Sequence, residues 1–203
     1  MANIFLVSDT HFSHAGVCRF MRADGVTKLR PWDNVEEMDE HMIDVWNKTV
    51  RPNDKVYHLG DVAINKKALS IMGRLNGDKV LIKGNHDIFH LADYTPYFRD
   101  IRAYHVLNGL IMSHIPLGEA SLGRFGTNIH GHLHEKRVMK ARGIDAKTGA
   151  TLYSNTEFDV RYHCVCVEQT DWAPIAFEDV QKRIIAEGGE IGMKSRESVY
   201  GPG

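Results

Sequence analysis

The chain has 203 residues, 43% of them hydrophobic and 25% charged, with a formal net charge of -1. That is enough chain for one domain with a substantial core, and the even charge balance makes no electrostatic demand for nucleic acid or an anionic membrane. No apolar stretch is long enough to span a bilayer, and Met1–Asp9 lacks the basic region and apolar length of a signal peptide, so the expectation is a cytoplasmic protein without a membrane partner.

Ile4-Phe5-Leu6-Val7 is a continuous apolar run, as a strand covered on both faces requires. It ends in Ser8-Asp9-Thr10-His11, and in extended backbone Asp9 and His11 project the same way. Residues 12–33 read as irregular, with His14 either lining a site or lying on the surface. Asn34–Lys48 is the clearest helix: Asn34 and Glu37 form a capping pattern, and Val35, Met38, Met42, Val45 and Trp46 recur at helical spacing. Val56-Tyr57-His58-Leu59 is a second strand and ends in Gly60-Asp61, with His58 read as a packed histidine. Lys66–Leu75 reads as a helix. The stretch after it lacks the Gly-Lys-Ser/Thr ending of a P-loop, which excludes nucleotide binding of that kind.

Lys79–Lys83 is a third strand and delivers Gly84-Asn85-His86-Asp87. Asn108-Gly109 between Tyr104–Leu107 and Leu110–Ser113 signals a hairpin, and its second arm ends in His114. A glycine-containing loop, residues 116–126, carries Arg124, a candidate substrate contact because it lies between two ligand-bearing strands. Asn128-Ile129-His130 leads to Gly131-His132-Leu133-His134, whose last two histidines share a face if the two-residue period holds. The basic residues of 135–142 read as a solvated face, with contact to a polynucleotide backbone the lesser reading. Phe158–Val160 and His163–Val167 read as strands, and Phe177–Ala186 as a late helix. The domain is expected to span 1–187, with 188–203 a mobile tail. Three cysteines do not make a disulfide framework, and Cys164 and Cys166 read as small buried hydrophobes.

Asp9/His11, Asp61, Asn85/His86, His114 and His132/His134 thus all follow strand-like runs. In an open α/β sheet, sites form beyond the carboxyl ends of the strands. Seven nitrogen and oxygen donors are too many for one tetrahedral zinc. They suit two divalent ions roughly 3.5–4 Å apart, the arrangement used for in-line displacement at phosphorus. The absence of thiolates favours manganese, iron, zinc or similar ions, and one carboxylate should bridge them. Asp61, alone on its strand end, is the natural choice.

These motifs, in this order, resemble the calcineurin-like metallophosphoesterases, whose pattern is Asp-x-His, Gly-Asp, Gly-Asn-His-Asp/Glu, His and Gly-His-x-His. The match spans residues 4–134 and lacks no metal-binding position. The resemblance implies an α/β fold, a four-layer α/β/β/α sandwich of two mixed sheets flanked by helices. It implies that Asp9, His11 and His134 hold one metal, that Asn85, His114 and His132 hold the other, and that Asp61 bridges. His86 would be the non-ligand histidine that stabilises the transition state or protonates the leaving oxygen, oriented by Asp87. His14 and Arg124 are the candidate substrate contacts. The cofactors would be two divalent ions, manganese first, with iron, zinc and nickel accepted by the same donors. The reaction would be hydrolysis of a phosphodiester or phosphomonoester by a metal-activated hydroxide. A nuclease with the same chemistry is the alternative, and an inactive scaffold, which would lack a ligand or the acid histidine, is the reading the residues disfavour.

Overall fold

The computed structural model describes residues 2–192. Eleven strands and three α-helices appear in these residues: β1 (Ile4–Val7), α1 (Val35–Thr49), β2 (Lys55–His58), β3 (Asp78–Ile82), α2 (Leu91–Tyr94), β4 (Asp100–Arg102), β5 (Tyr104–Leu107), β6 (Leu110–Ser113), β7 (Asn128–His130), β8 (Met139–Ile144), β9 (Thr151–Phe158), β10 (Tyr162–Cys164), β11 (Ile175–Ala176) and α3 (Phe177–Ala186). The first sheet has the order β11-β1-β2-β3-β4, parallel except for β11, and the second has the order β10-β7-β6-β5, parallel except for β5. Both sheets are therefore mixed. The register Val7↔His58 and His58↔Leu81 brings β1, β2 and β3 to a common carboxyl edge.

Strand periodicity divides the core. Phe5, Val7, Val56 and Leu81 point to one face, where α1 contributes Met38, Met42 and Trp46. Leu6, Tyr57, Val80 and Ile82 point to the other, where Leu110, Met112 and Ile129 of the second sheet meet them together with Val180 and Ile184 of α3. The continuous apolar reading of β1 is thus explained by burial on both faces. The resemblance leads one to expect a helical layer outside the second sheet. Among the described residues that face carries a smaller cluster, Ile111, Leu122 and Tyr162, packed with Leu117 and Phe125 of the 116–126 loop.

Local signals account for the elements that were anticipated. Asn34 Oδ1 accepts from the Glu36 and Glu37 amides at 2.7 and 3.3 Å and starts α1. Leu107↔Leu110 close the β5–β6 hairpin over Asn108 (φ 49°) and Gly109 (φ 79°), the left-handed pair that a two-residue turn demands. The segment expected as a helix after β2 is a 3-10 helix, Lys66–Arg74, capped by Asn65. The basic segment after His134 enters a two-stranded ribbon, β8–β9, and its strand residues Lys140–Ile144 are exposed, the solvated face expected. Residues 188–192 of the expected tail contact the body: Thr127 Oγ1 donates to Glu190 O, and Ile191 packs on the inter-sheet core. Residues 193–203 of the expected tail lie outside the described residues.

Candidate metal centre

The carboxyl ends of β1, β2 and β3 from one sheet, and of β6 and β7 from the other, deliver two groups of side chains. Asp9, His11 and His134 form one, and Asp61, His114 and His132 the other; within each, one ligand atom per residue lies within 4.8 Å of the rest. Asn85 Oδ1 joins the second group, 2.8 Å from His114 Nε2. Asp61 Oδ2 stands between the groups, 3.7 Å from His11 Nε2 and 3.4 Å from His114 Nε2. Two candidate sites for divalent metal ions thus adjoin each other.

The backbone route to this geometry differs from the extended one expected. Asp9, His11, Asp61, His132 and His134 all have φ between 49° and 68°, the left-handed region that non-glycine residues enter rarely and at a cost. His132 and His134 do not share a strand face. Left-handed backbone sends His132 to the second group and His134 to the first. Two glycines permit the close packing of the loops. A Cβ at Gly84 would lie 2.6 Å from the Asp61 amide nitrogen and collide with Asp61 Oδ1, and one at Gly131 would collide with Ser8 Oγ and lie 2.5 Å from Asp9 Oδ2.

Each carboxylate has one satisfied oxygen and one bare oxygen. Asp9 Oδ2 accepts from Ser8 Oγ (2.6 Å), the His132 amide (2.8 Å) and Cys166 Sγ (3.1 Å), whereas Asp9 Oδ1 is buried without a hydrogen bond. Asp61 Oδ1 accepts from the His86 amide at 2.8 Å, leaving Oδ2 to face the two groups. The histidines show the same division. His114 Nδ1 sits 2.8 Å from Leu59 O and His134 Nδ1 3.0 Å from Glu168 Oε1. A proton on each Nδ1 leaves the Nε2 lone pair facing oxygens, a repulsive arrangement that a cation between them turns into attraction. Both ring nitrogens of buried His11 lack partners. A set of orphaned oxygens and imidazole nitrogens, buried and convergent, fits hard divalent cations.

Electrostatics agree. Burial alone would raise the Asp9 carboxyl, but His11, His114 and His134 hold it well below the usual carboxylate range. Burial would lower the His114 imidazole, but the Asp61 carboxylate 3.4 Å away, with Asp9 behind it, raises it above its ordinary value.

The remaining anticipated residues fall differently. His86 is exposed, and its ring stands edge-on to His11 with centroids 5.5 Å apart. Asp87 does not orient it. The buried Asp87 carboxylate accepts from the backbone amides of Asp61 (2.8 Å), Val62 (3.1 Å) and Gly84 (2.8 Å), so it clamps the loop after β2 to the loop after β3. His14 lies beside the first group, 5.6 Å from the His11 ring, with Nδ1 buried and unpartnered. Arg124 is exposed on its loop, with no ion pair among the described residues. His58 is packed as expected, buried between Thr10 Oγ1 and the Gly60 amide, and burial pushes its imidazole down to about 3.

Two contributors were missed. Buried Glu168 bonds His134, and buried Arg30 donates through Nε to Glu168 Oε1 (2.8 Å) and through its terminal nitrogens to Thr10 O (2.8 Å) and Asp9 O (2.6 Å). The pair therefore fixes both a ligand ring and the left-handed backbone that carries Asp9. Nothing in the local sequence around Arg30 signals this. Cys166, read as a small hydrophobe, is buried but also donates to Asp9.

No family model matches the chain. Over 105 residues it is 32% identical to the Gene 66 protein of Mycobacterium phage D29, a match covering 49% of this chain and 45% of that protein. The protein of unknown function AQ665 from Aquifex aeolicus has a crystal structure that superposes with a TM-score of 0.61 at 23% identity, over 90% of this chain and all of that one, which shows a shared fold. The uncharacterized protein MJ1445 of Methanocaldococcus jannaschii is 37% identical over 155 residues, 72% of this chain and 78% of that protein. With that identity sustained over most of both proteins, the chain belongs to the same family as MJ1445.

Proposed function

We propose that the protein is a phosphoesterase that works with two divalent cations, manganese foremost, on a phosphodiester or phosphomonoester. The observation that supports this most is the bare Asp61 Oδ2, aimed at His11 on one side and His114 on the other, with a complete donor group beyond each. Asp9, His11 and His134 would hold one cation, Asn85, His114 and His132 the other, and Asp61 both. Two such cations polarise phosphoryl oxygens and acidify water near neutral pH. The two face-to-face sheets, with the site at their shared carboxyl edge, are the arrangement a calcineurin-like metallophosphoesterase would have.

The chain's own groups do the rest. Asp87 and Arg30 hold the ligand loops in place before substrate arrives, so little reorganisation accompanies the reaction. His86 has its backbone amide fixed to Asp61 and its ring at the exposed rim, without a hydrogen bond among the described residues. That leaves the ring free to donate a proton to the leaving oxygen. The nuclease reading loses ground: of the basic residues in 135–142, Arg137 pairs with Glu187, and Lys140 and Arg142 pair with Glu157.

The test is reconstitution with manganese, counting bound metal by mass spectrometry and following hydrolysis of para-nitrophenyl mono- and diesters. The wild type should bind two ions and turn over. His86→Ala should keep both ions and lose roughly 10²–10⁴-fold in turnover. Asp61→Asn should weaken both sites. Two ions bound with no hydrolysis of any phosphoester would sink the reading.

A further inference from the structure

A cleft of about 830 Å³ starts at Asn85 and His114 of the second donor group and runs outward between α2, the β4–β5 connection and the 116–126 loop. It is within the size range of small-molecule sites, which are mostly apolar with a few placed polar groups. Its walls are dominated by Leu91, Ile101, Tyr104, Ile115, Leu117 and Phe125. Leu91, Tyr104 and Ile115 are 57%, 58% and 52% exposed, so a contiguous apolar surface opens directly onto the polar second donor group, of which Asp61 and His114 are buried. Single exposed apolar residues need no explanation, but a patch of them beside such a cluster does.

The polar groups in the cleft are nearly all committed. Arg102 is held by Asp100 and His105, and Ser113 Oγ donates to Ile115 O. Lys83 differs: it has no carboxylate partner among the described residues, and its ammonium lies 5.7 Å from the Tyr94 ring centroid. Among the described residues the cleft therefore offers apolar area, two aromatic rings and, in Lys83, a cation with no carboxylate partner. It does not offer the array of open donors and acceptors that would read a hydrogen-bonding edge.

We propose that this cleft seats the ester group of the substrate, and that the group is a flat, uncharged ring. The phosphoryl group would lie at the donor clusters with Lys83 beside it, and the ring would pack against Tyr104 and Phe125. The inference rests on the phosphoesterase reading for the reacting group alone. Because the recognition is by area and shape, aryl and heteroaryl rings should be accepted alike and small alkyl esters poorly.

Binding measured by calorimetry on the manganese-loaded protein separates the two readings, with naphthylphosphonate, methylphosphonate and naphthol as probes. The phosphonates cannot be hydrolysed, so turnover does not enter. Naphthylphosphonate should bind about tenfold or more tighter than methylphosphonate, as burial of one aromatic face requires. Tyr104→Ser and Leu91→Glu, both at exposed positions, should bring the two close to parity while leaving methylphosphonate affinity and manganese content unchanged. Equal wild-type affinities would overturn the cleft assignment and leave the phosphoesterase reading intact. Naphthol binding that Tyr104→Ser removes, with no methylphosphonate binding, would keep a ring site and overturn the phosphoesterase reading. Self-association in sedimentation that Leu91→Glu abolishes and naphthylphosphonate does not compete with would make the cleft an interface between copies and overturn the proposal.

Discussion

Asp9 and Asp61 are each divided between two jobs, one oxygen holding loops together and the other left bare. The histidines opposite them are divided likewise, with Nδ1 spent on Leu59 O or Glu168 and Nε2 turned inward. Glu168 is the residue on which this division can be tested. Glu168→Gln keeps an acceptor for His134 but leaves buried Arg30 without its counter-charge. We expect metal affinity to fall about 10–100-fold at the first site, with a loss of about 3–5 kcal/mol in stability from the orphaned guanidinium. Manganese titration and urea denaturation read the two effects separately; unchanged values in both would remove Glu168 from the site. Single residues also mark the limit of what the sequence discloses. The seven donors are legible because each follows a strand-like run. Arg30 and Glu168 are not, because 138 positions separate them and only tertiary packing joins them. Adjacency misled at His86 and Asp87, where neighbours in the chain turn to opposite tasks.

At the level of elements, the strand ends do more than terminate strands. β1, β2 and β7 each give way to left-handed backbone, and the loops so formed press against one another closely enough that Gly84 and Gly131 have no room for a methyl group. Gly131→Ala should therefore displace Ser8 and Asp9 together, and with them His132 and His134. The expected result is a folded protein, by circular dichroism, that binds less than one equivalent of manganese; two equivalents would show that the loops yield. Elements with a buried face were readable: α1 from its cap and apolar stripe, the β5–β6 hairpin from Asn108-Gly109. The β8–β9 ribbon was not, because only Ser154 of its strand residues is buried, and an exposed ribbon leaves no hydrophobic alternation to read.

For the molecule as a whole, the donors come from both sheets, so the candidate metal centre is also a cross-link between them. Manganese at a hundredfold excess over its Kd should add about 2.7 kcal/mol of stability per site, seen as a rise in Tm that a chelator reverses. A Tm indifferent to manganese would mean that the two sheets hold the donors without binding ions. No helix among the described residues is long and apolar enough to cross a membrane, and the balanced charge leaves recognition to local groups rather than to a long-range field.

The left-handed residues carry a consequence for anyone who would improve this protein. Five donor positions sit where glycine would rest more comfortably, at a cost of order 1–3 kcal/mol for a strained residue. A screen that rewards heat resistance alone would enrich glycine there, and each gain in robustness would erase a donor. Selection for durability and selection for chemistry pull these positions in opposite directions, so libraries built on this scaffold should hold Asp9, His11, Asp61, His132 and His134 constant and look for stability elsewhere.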